Sequence, residues 1–186
     1  MNKNKKKLPV SVLSYRLAIE TDITAIVSLV DSAYRGQSSR QGWTTEADFI
    51  EGQRTDFDEV ASLMAATDSC FLLCENEQRL LASVQLKKQG KRAYLGMFAV
   101  DPQHQGRGAG GALLQKAEEF VMQQWQLDTV YISVISIRLE LINWYLRQGY
   151  VKTAQQRPFP YDQPRFGIPT RKDLVLEIFE KRLCET

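Results

Sequence analysis

Apolar and β-branched residues cluster from Val12 to Ile19, and that run predicts a first strand. The period then changes. Ile23, Ile26, Val27, Val30, Ala33 and Tyr34 recur at the spacing of one helical face, with Thr21 or Asp22 placed to cap it. From Arg35 to Glu46 no period survives, and Gly36, Gly42 and Trp43 interrupt a polar stretch. Thr45 is expected to cap a short helix reaching Ile50, and Thr55 or Asp56 to start another with Phe57, Val60, Ala61 and Met64 on one face. Three strands follow, Ser69 to Cys74, Leu80 to Leu86 and Arg92 to Val100. The short turns between them (Asn76 to Gln78, Lys87 to Lys91) imply an antiparallel meander.

Beyond Asp101-Pro102 and a glycine-rich turn, Leu114, Ala117, Val121 and Trp125 line one side of a helix, with Leu113 and Phe120 beside them. Val130 to Ile135 reads as a strand. Leu139 to Gln148 reads as a helix with Leu141, Ile142, Tyr145 and Leu146 on one face, closed by Gly149 in a left-handed C-cap. Tyr150 to Ala154 is a short strand, 157 to 170 a proline-rich loop, and Asp173 to Phe179 a closing strand. The order is β-α-α, a meander, then β-α-β-α-β-β. The strand before the glycine turn and the strand after its helix can pair in parallel through a right-handed crossover. The expected fold is α+β: three layers, with a mixed, mostly antiparallel sheet flanked by helices.

Composition narrows this further. A chain of 186 residues suits one domain, placed at 10 to 186 after a disordered basic tail at 1 to 9. Lys3, Lys5, Lys6 and Lys7 lie in that tail, and without those four the net charge of +2 becomes −2. The body is therefore not a basic nucleic-acid binder. No apolar run follows the lysines as in a signal peptide, and none approaches the ~20 residues of a membrane span. Cys70, Cys74 and Cys184 match no zinc spacing, so no metal is expected, and reduced thiols suit a cytoplasmic protein.

The candidate chemistry sits at Gln105-Gly106-Arg107-Gly108-Ala109-Gly110-Gly111, between a strand and a helix. Glycines allow a sharp turn, and the N–H groups at a helix start form an anion site; Arg107 adds a cation. Gly106, Gly108 and Gly111 satisfy G-x-G-x-x-G, with Asp128 downstream. Yet a dinucleotide fingerprint follows the first strand of a parallel unit, and its acid ends the next strand, whereas Asp128 begins one. No Gly-Lys-Ser/Thr follows, so a P-loop fails as well.

The wider context resembles the GNAT family of N-acetyltransferases. Its acyl-CoA loop has the form Gln/Arg-x-x-Gly-x-Gly/Ala, and Gln105, Gly108 and Gly110 fit it. Phe98-Ala99-Val100-Asp101-Pro102 looks like its preceding strand, and Trp144-Tyr145-Leu146-Arg147-Gln148-Gly149-Tyr150 like its second signature. The resemblance covers roughly Tyr94 to Ala154 and implies the GNAT acyl-CoA N-acyltransferase fold. It also implies acetyl-CoA as donor and direct attack by a primary amine of a small molecule, in a monomer or homodimer. Alternatives are a protein N-terminal or lysine acetyltransferase, or a non-catalytic acyl-CoA-binding module.

By the same resemblance, backbone N–H groups from Gly106 to Gly111 hold the pyrophosphate. Phe98, Ala99 and Val100 lie along the pantetheine arm, with an N–H near Phe98 polarising the thioester. Tyr145 protonates the departing thiolate. The family's cofactor-contacting Asn is absent, and Arg138 stands near its place, where it can meet a phosphate. Glu46, Asp48, Glu51, Glu140 and His104 are candidate bases. Tyr34 to Arg54 and 157 to 169 exceed what a bare fold needs and are expected to flank the acceptor. There Arg54 or Arg165 can bind a carboxylate, Glu46 or Asp162 an ammonium, and Tyr161 can form a rigid wall.

Overall fold

A computed structural model describes residues 13–77, 79–164 and 167–184. The stretch expected to be a basic tail lies outside them, as does Arg165. β1 (Leu13–Leu17) leads through a 3-10 turn (Glu20–Asp22) into α1 (Ile23–Tyr34) and the single turn α2 (Gly36–Ser39). β2 (Ile50–Glu51) and α3 (Phe57–Ala65) precede the meander of β3 (Ser69–Asn76), β4 (Arg79–Gln89) and β5 (Arg92–Val100). Then come α4 (Ala109–Trp125), β6 (Thr129–Ile135), α5 (Leu139–Arg147), β7 (Val151–Pro158), β8 (Ile168–Pro169) and β9 (Val175–Arg182).

Seven strands form one sheet in the order β1-β3-β4-β5-β6-β9-β7, and β2 pairs separately with β8. Only β5 and β6 run parallel, as the crossover through α4 predicts. One face packs on α4 and α5, where Leu113, Leu114, Ala117, Val121 and Tyr145 join Leu72, Val84 and Leu95 in the larger core. The other face packs on α1 and α3, where Ile26, Val30, Ala33 and Val60 meet Phe71, Leu73, Met97 and Ala99. Full burial of such aliphatic side chains contributes ~1.5–3 kcal/mol each, which is why the helical stripes dictate the layering. Among the described residues no helix is long and apolar enough to cross a membrane.

Local chemistry explains where the elements depart from expectation. Thr45 caps no helix: its hydroxyl accepts from Ala47 N–H at 3.2 Å in a local turn, and Ile50 is drawn into pairing with Pro169. Asp22 does not cap α1 with its side chain. It turns back to Ile19 N–H (2.8 Å) and takes a bidentate grip from Arg16. Asp56 does cap α3, accepting from Glu59 N–H at 2.7 Å. Gly149 takes φ +89°, the left-handed conformation its place after α5 requires.

One irregularity positions the site. The β4–β5 register slips between Ser83 and Gln85, so β5 carries an extra residue there. Met97 stands in the bulge with φ +43°, an uncommon conformation for a non-glycine residue. Beyond the pairs Ala93–Val130 and Tyr94–Tyr131, β5 and β6 no longer pair. The two central strands splay, and the gap opens toward the glycine turn.

Candidate active site

Two cavities flank the far end of β5. The first, about 460 Å³, is lined by Gly106, Gly108, Gly110 and Gly111 of the turn together with Trp43 and Trp144. Gly106 (φ +77°) and Gly108 (φ +99°) take conformations that disfavour a side chain. Gly110 lies so close to β5 that a Cβ there would sit 3.3 Å from Val100 Cγ2. Among the described residues, the N–H groups from Gly106 to Gly111 donate to no protein acceptor, and the first return bond is Ala112 N–H to Gly108 O at 3.0 Å. A row of such donors at the positive end of a 17-residue helix fits a pyrophosphate. Trp144 extends the apolar wall toward Phe98 (ring centroids 5.8 Å apart) and Trp43 (6.3 Å).

The second cavity, about 370 Å³, shares Phe98 and Leu141 with the first and includes Tyr145 in its lining. Its most polar wall is an ion cluster. Glu46 is buried between Arg35 Nη1 (2.5 Å) and Arg138 Nη1 (2.7 Å), and Arg138 Nη2 also donates to Thr44 O at 2.5 Å. Burial alone would raise the Glu46 carboxyl. The charges of Arg138, Arg35 and Arg54 outweigh it and hold the group below the ordinary carboxylate value. The guanidinium groups of Arg138 and Arg54 lie 5.4 and 5.9 Å from the ring centre of Tyr34, whose hydroxyl donates to Phe98 O at 2.7 Å. Burial pushes Tyr145 well above the ordinary phenol value, with Tyr34 and Tyr94 adding to the rise and Arg138 opposing it.

Phe98, Val100, Gln105, Gly106, Gly108, Gly110 and Gly111 are thus brought together around the first cavity. Ala99 and Ala109 are buried and line neither cavity, and neither does Arg107, whose Nε is buried without a hydrogen-bond partner. The Gln105 side chain turns inward, to Trp43, Thr44 and Val100. Arg138 faces the second cavity, with its guanidinium on Glu46 rather than beside the turn, where a carboxylate and the Thr44 carbonyl satisfy its donors. Glu46 is correspondingly engaged by arginines and not available as a simple ammonium site. Arg54 lines the second cavity.

Tyr161 lines neither cavity. Its oxygen accepts from Leu174 N–H at 2.7 Å and its ring packs on Phe159, so it fastens a loop. Of the remaining candidate bases, Glu140 lines the first cavity, while Asp48 pairs with Arg40 at the surface. His104 Nδ1 lies 3.2 Å from Asp101, away from both cavities. Glu59 carried no signal as a site residue, because its spacing read only as part of a capped helix start. It nevertheless lines the second cavity, where Thr55 Oγ1 donates to it at 2.7 Å. Tyr34 and Arg35 lie in the segment expected beside the acceptor, although neither was singled out within it, and both line the second cavity.

A family model for the acetyltransferase (GNAT) family matches residues 38–150. The S-(2-succino)cysteine N-acetyltransferase of Bacillus subtilis (strain 168) is 29% identical over 154 residues, covering 76% of this chain and 86% of that protein. The Salmonella typhimurium yncA structure, solved with its cofactor acetyl-CoA, superposes with a TM-score of 0.67 at 18% identity, over 94% of this chain and 96% of that one. Vibrio cholerae spermidine N-acetyltransferase, in complex with CoA and spermine, gives 0.66 at 17% identity, over 92% and 96%.

Proposed function

The chain belongs to the acetyltransferase (GNAT) family and is an N-acetyltransferase. From that premise we propose that it moves the acetyl group of acetyl-CoA to the α-amine of a small amino acid bearing more than one carboxylate. The observation that carries the acceptor class is the charge of the second cavity. Among the described residues its lining has four cations (Arg35, Arg54, Lys87, Arg138) against two carboxylates (Glu46, Glu59). A wall of that sign attracts carboxylates and repels a polyamine. The Bacillus subtilis relative acts on such an amino acid, and its likeness to this chain supports the assignment; the likeness to the spermidine enzyme extends to the fold.

The donor binds in the first cavity, with the Gly106–Gly111 N–H groups on its pyrophosphate and its acyl end at the shared wall of Phe98. When bound it supplies an activated acyl group. The amine reaches that wall from the second cavity and must lose a proton before it attacks. Glu46 is held as a carboxylate by its arginines and is a weak base, so Glu59 takes the proton through water. The C–N bond forms, the C–S bond breaks, Tyr145 gives its proton to the sulfur, and the second proton shed by the acylated nitrogen restores the phenol. Burial keeps Tyr145 in its protonated, donating form and at the same time disfavours a bare thiolate beside it. Unpaired Cys70, Cys74 and Cys184 suit a reducing cytoplasm.

Thiol release measured with acetyl-CoA and an amine panel tests this. S-(2-succino)cysteine should turn over well above spermidine; the opposite order would overturn the acceptor class.

A further inference from the structure

We propose that Gln105 is a positioning residue that ties the donor loop to the acceptor wall, so that cofactor binding orders the acceptor pocket. The inference rests on the donor assignment above. Gln105 is 3% exposed although it adjoins the exposed Gly106, and its amide is spent on a segment 62 residues away in sequence. Oε1 accepts from Trp43 N–H at 2.8 Å, and Nε2 donates to Thr44 Oγ1 at 2.8 Å and to Val100 O at 3.0 Å. The Thr44 hydroxyl passes its own proton to Ala33 O (3.2 Å), so the contact has one direction. Gly42 is pressed onto the same amide: a Cβ there would lie 2.4 Å from Oε1.

The segment so held has a face on each cavity. Trp43 lines the first and Glu46 the second. Thr44 O receives Arg138 at 2.5 Å, Arg138 grips Glu46 at 2.7 Å, and Glu46 N–H donates to Tyr34 O at 2.9 Å. A continuous run of bonds therefore joins Gln105 to the arginine cluster. The N–H groups beginning one residue beyond Gln105 hold the pyrophosphate. Fixing them fixes the Gln105 backbone, and through its amide the 42–46 segment. Donor and acceptor binding are thereby coupled, each tightening the other by roughly 5–30-fold, within the usual range of coupling between two sites.

Hydrogen–deuterium exchange with CoA as probe tests the tie without an acceptor. In the wild type, CoA should slow exchange in peptides spanning 42–50 as well as 103–112. In Gln105→Ala it should slow only 103–112, with the Kd for CoA changed by less than about threefold. Gly42→Ala, which wedges the segment off an intact Gln105, should behave alike and serves if Gln105→Ala misfolds. With acceptor present, KM for the amine should rise while kcat holds, and the gain in CoA affinity that the acceptor gives the wild type should be lost, a pattern that general loosening would not give. Protection of 42–50 by CoA in both variants, or a tenfold weaker Kd for CoA, would overturn the proposal. If CoA leaves 103–112 of the wild type unprotected, the donor assignment fails instead. Cofactor-free exchange of 42–50 then still decides the tie, which is overturned if Gln105→Ala leaves that exchange unchanged.

Discussion

Glu46 is the residue on which most charge converges. Replacing it with Gln removes the buried carboxylate that Arg35 and Arg138 share. Breaking a buried pair in this way costs about 3–5 kcal/mol, and urea unfolding should show a loss of that order. The pH dependence has a definite sign. The folded Glu46 carboxyl lies below its unfolded value, so its contribution is complete above about pH 4.3 and is lost as pH falls through the folded value. The wild type should therefore lose stability in acid along a slope that Glu46→Gln lacks. Tyr145 makes a different prediction. Removing its hydroxyl with Phe preserves the packing against Trp144 and Tyr150 (ring centroids 4.8 and 5.4 Å away) and deletes only the proton. Turnover should fall about 100-fold while acetyl-CoA affinity, measured by titration calorimetry, stays nearly constant. An unchanged turnover would remove Tyr145 from the chemistry.

At the scale of elements, the site is made by a strand, a turn and a helix. Gly108 holds φ +99° at the helix entry. Gly108→Ala should cost roughly 1–2 kcal/mol in the left-handed conformation and weaken CoA binding further by swinging the N–H row out of line; differential scanning calorimetry with and without CoA reads both. These elements were legible in the sequence because local rules write them: β5 matches its expected span of Arg92 to Val100, and glycines mark the turn. The ion cluster was not legible. Glu46 and Arg138 are 92 residues apart, and no periodicity relates them. Neither was the bulge at Met97, where tertiary strain overrides a residue with no preference for positive φ. The Thr45 helix failed for a related reason: a two-residue pairing with distant Pro169 outweighed a local capping signal.

At the scale of the molecule, the splay of β5 from β6 divides labour. It lets donor and acceptor approach one wall, Phe98 and Leu141, from cavities of opposite character. One is lined by glycine and tryptophan, the other by charge.

The same gap has a mechanical meaning. Across the middle of the sheet the chain is stitched by pairing at Ala93–Val130 and Tyr94–Tyr131, against eight register pairs between β3 and β4. To one side lie β1, β3, β4 and β5, to the other β6, β9 and β7, and the covalent link crosses once, between α4 and β6. The enzyme is thus a two-part object joined by side-chain packing, by the short β2–β8 pair and by this narrow seam. Cut at Leu127–Asp128, the two pieces should reassemble when co-expressed and recover acetyltransferase activity, which neither shows alone. A cut within β4 should not be rescued.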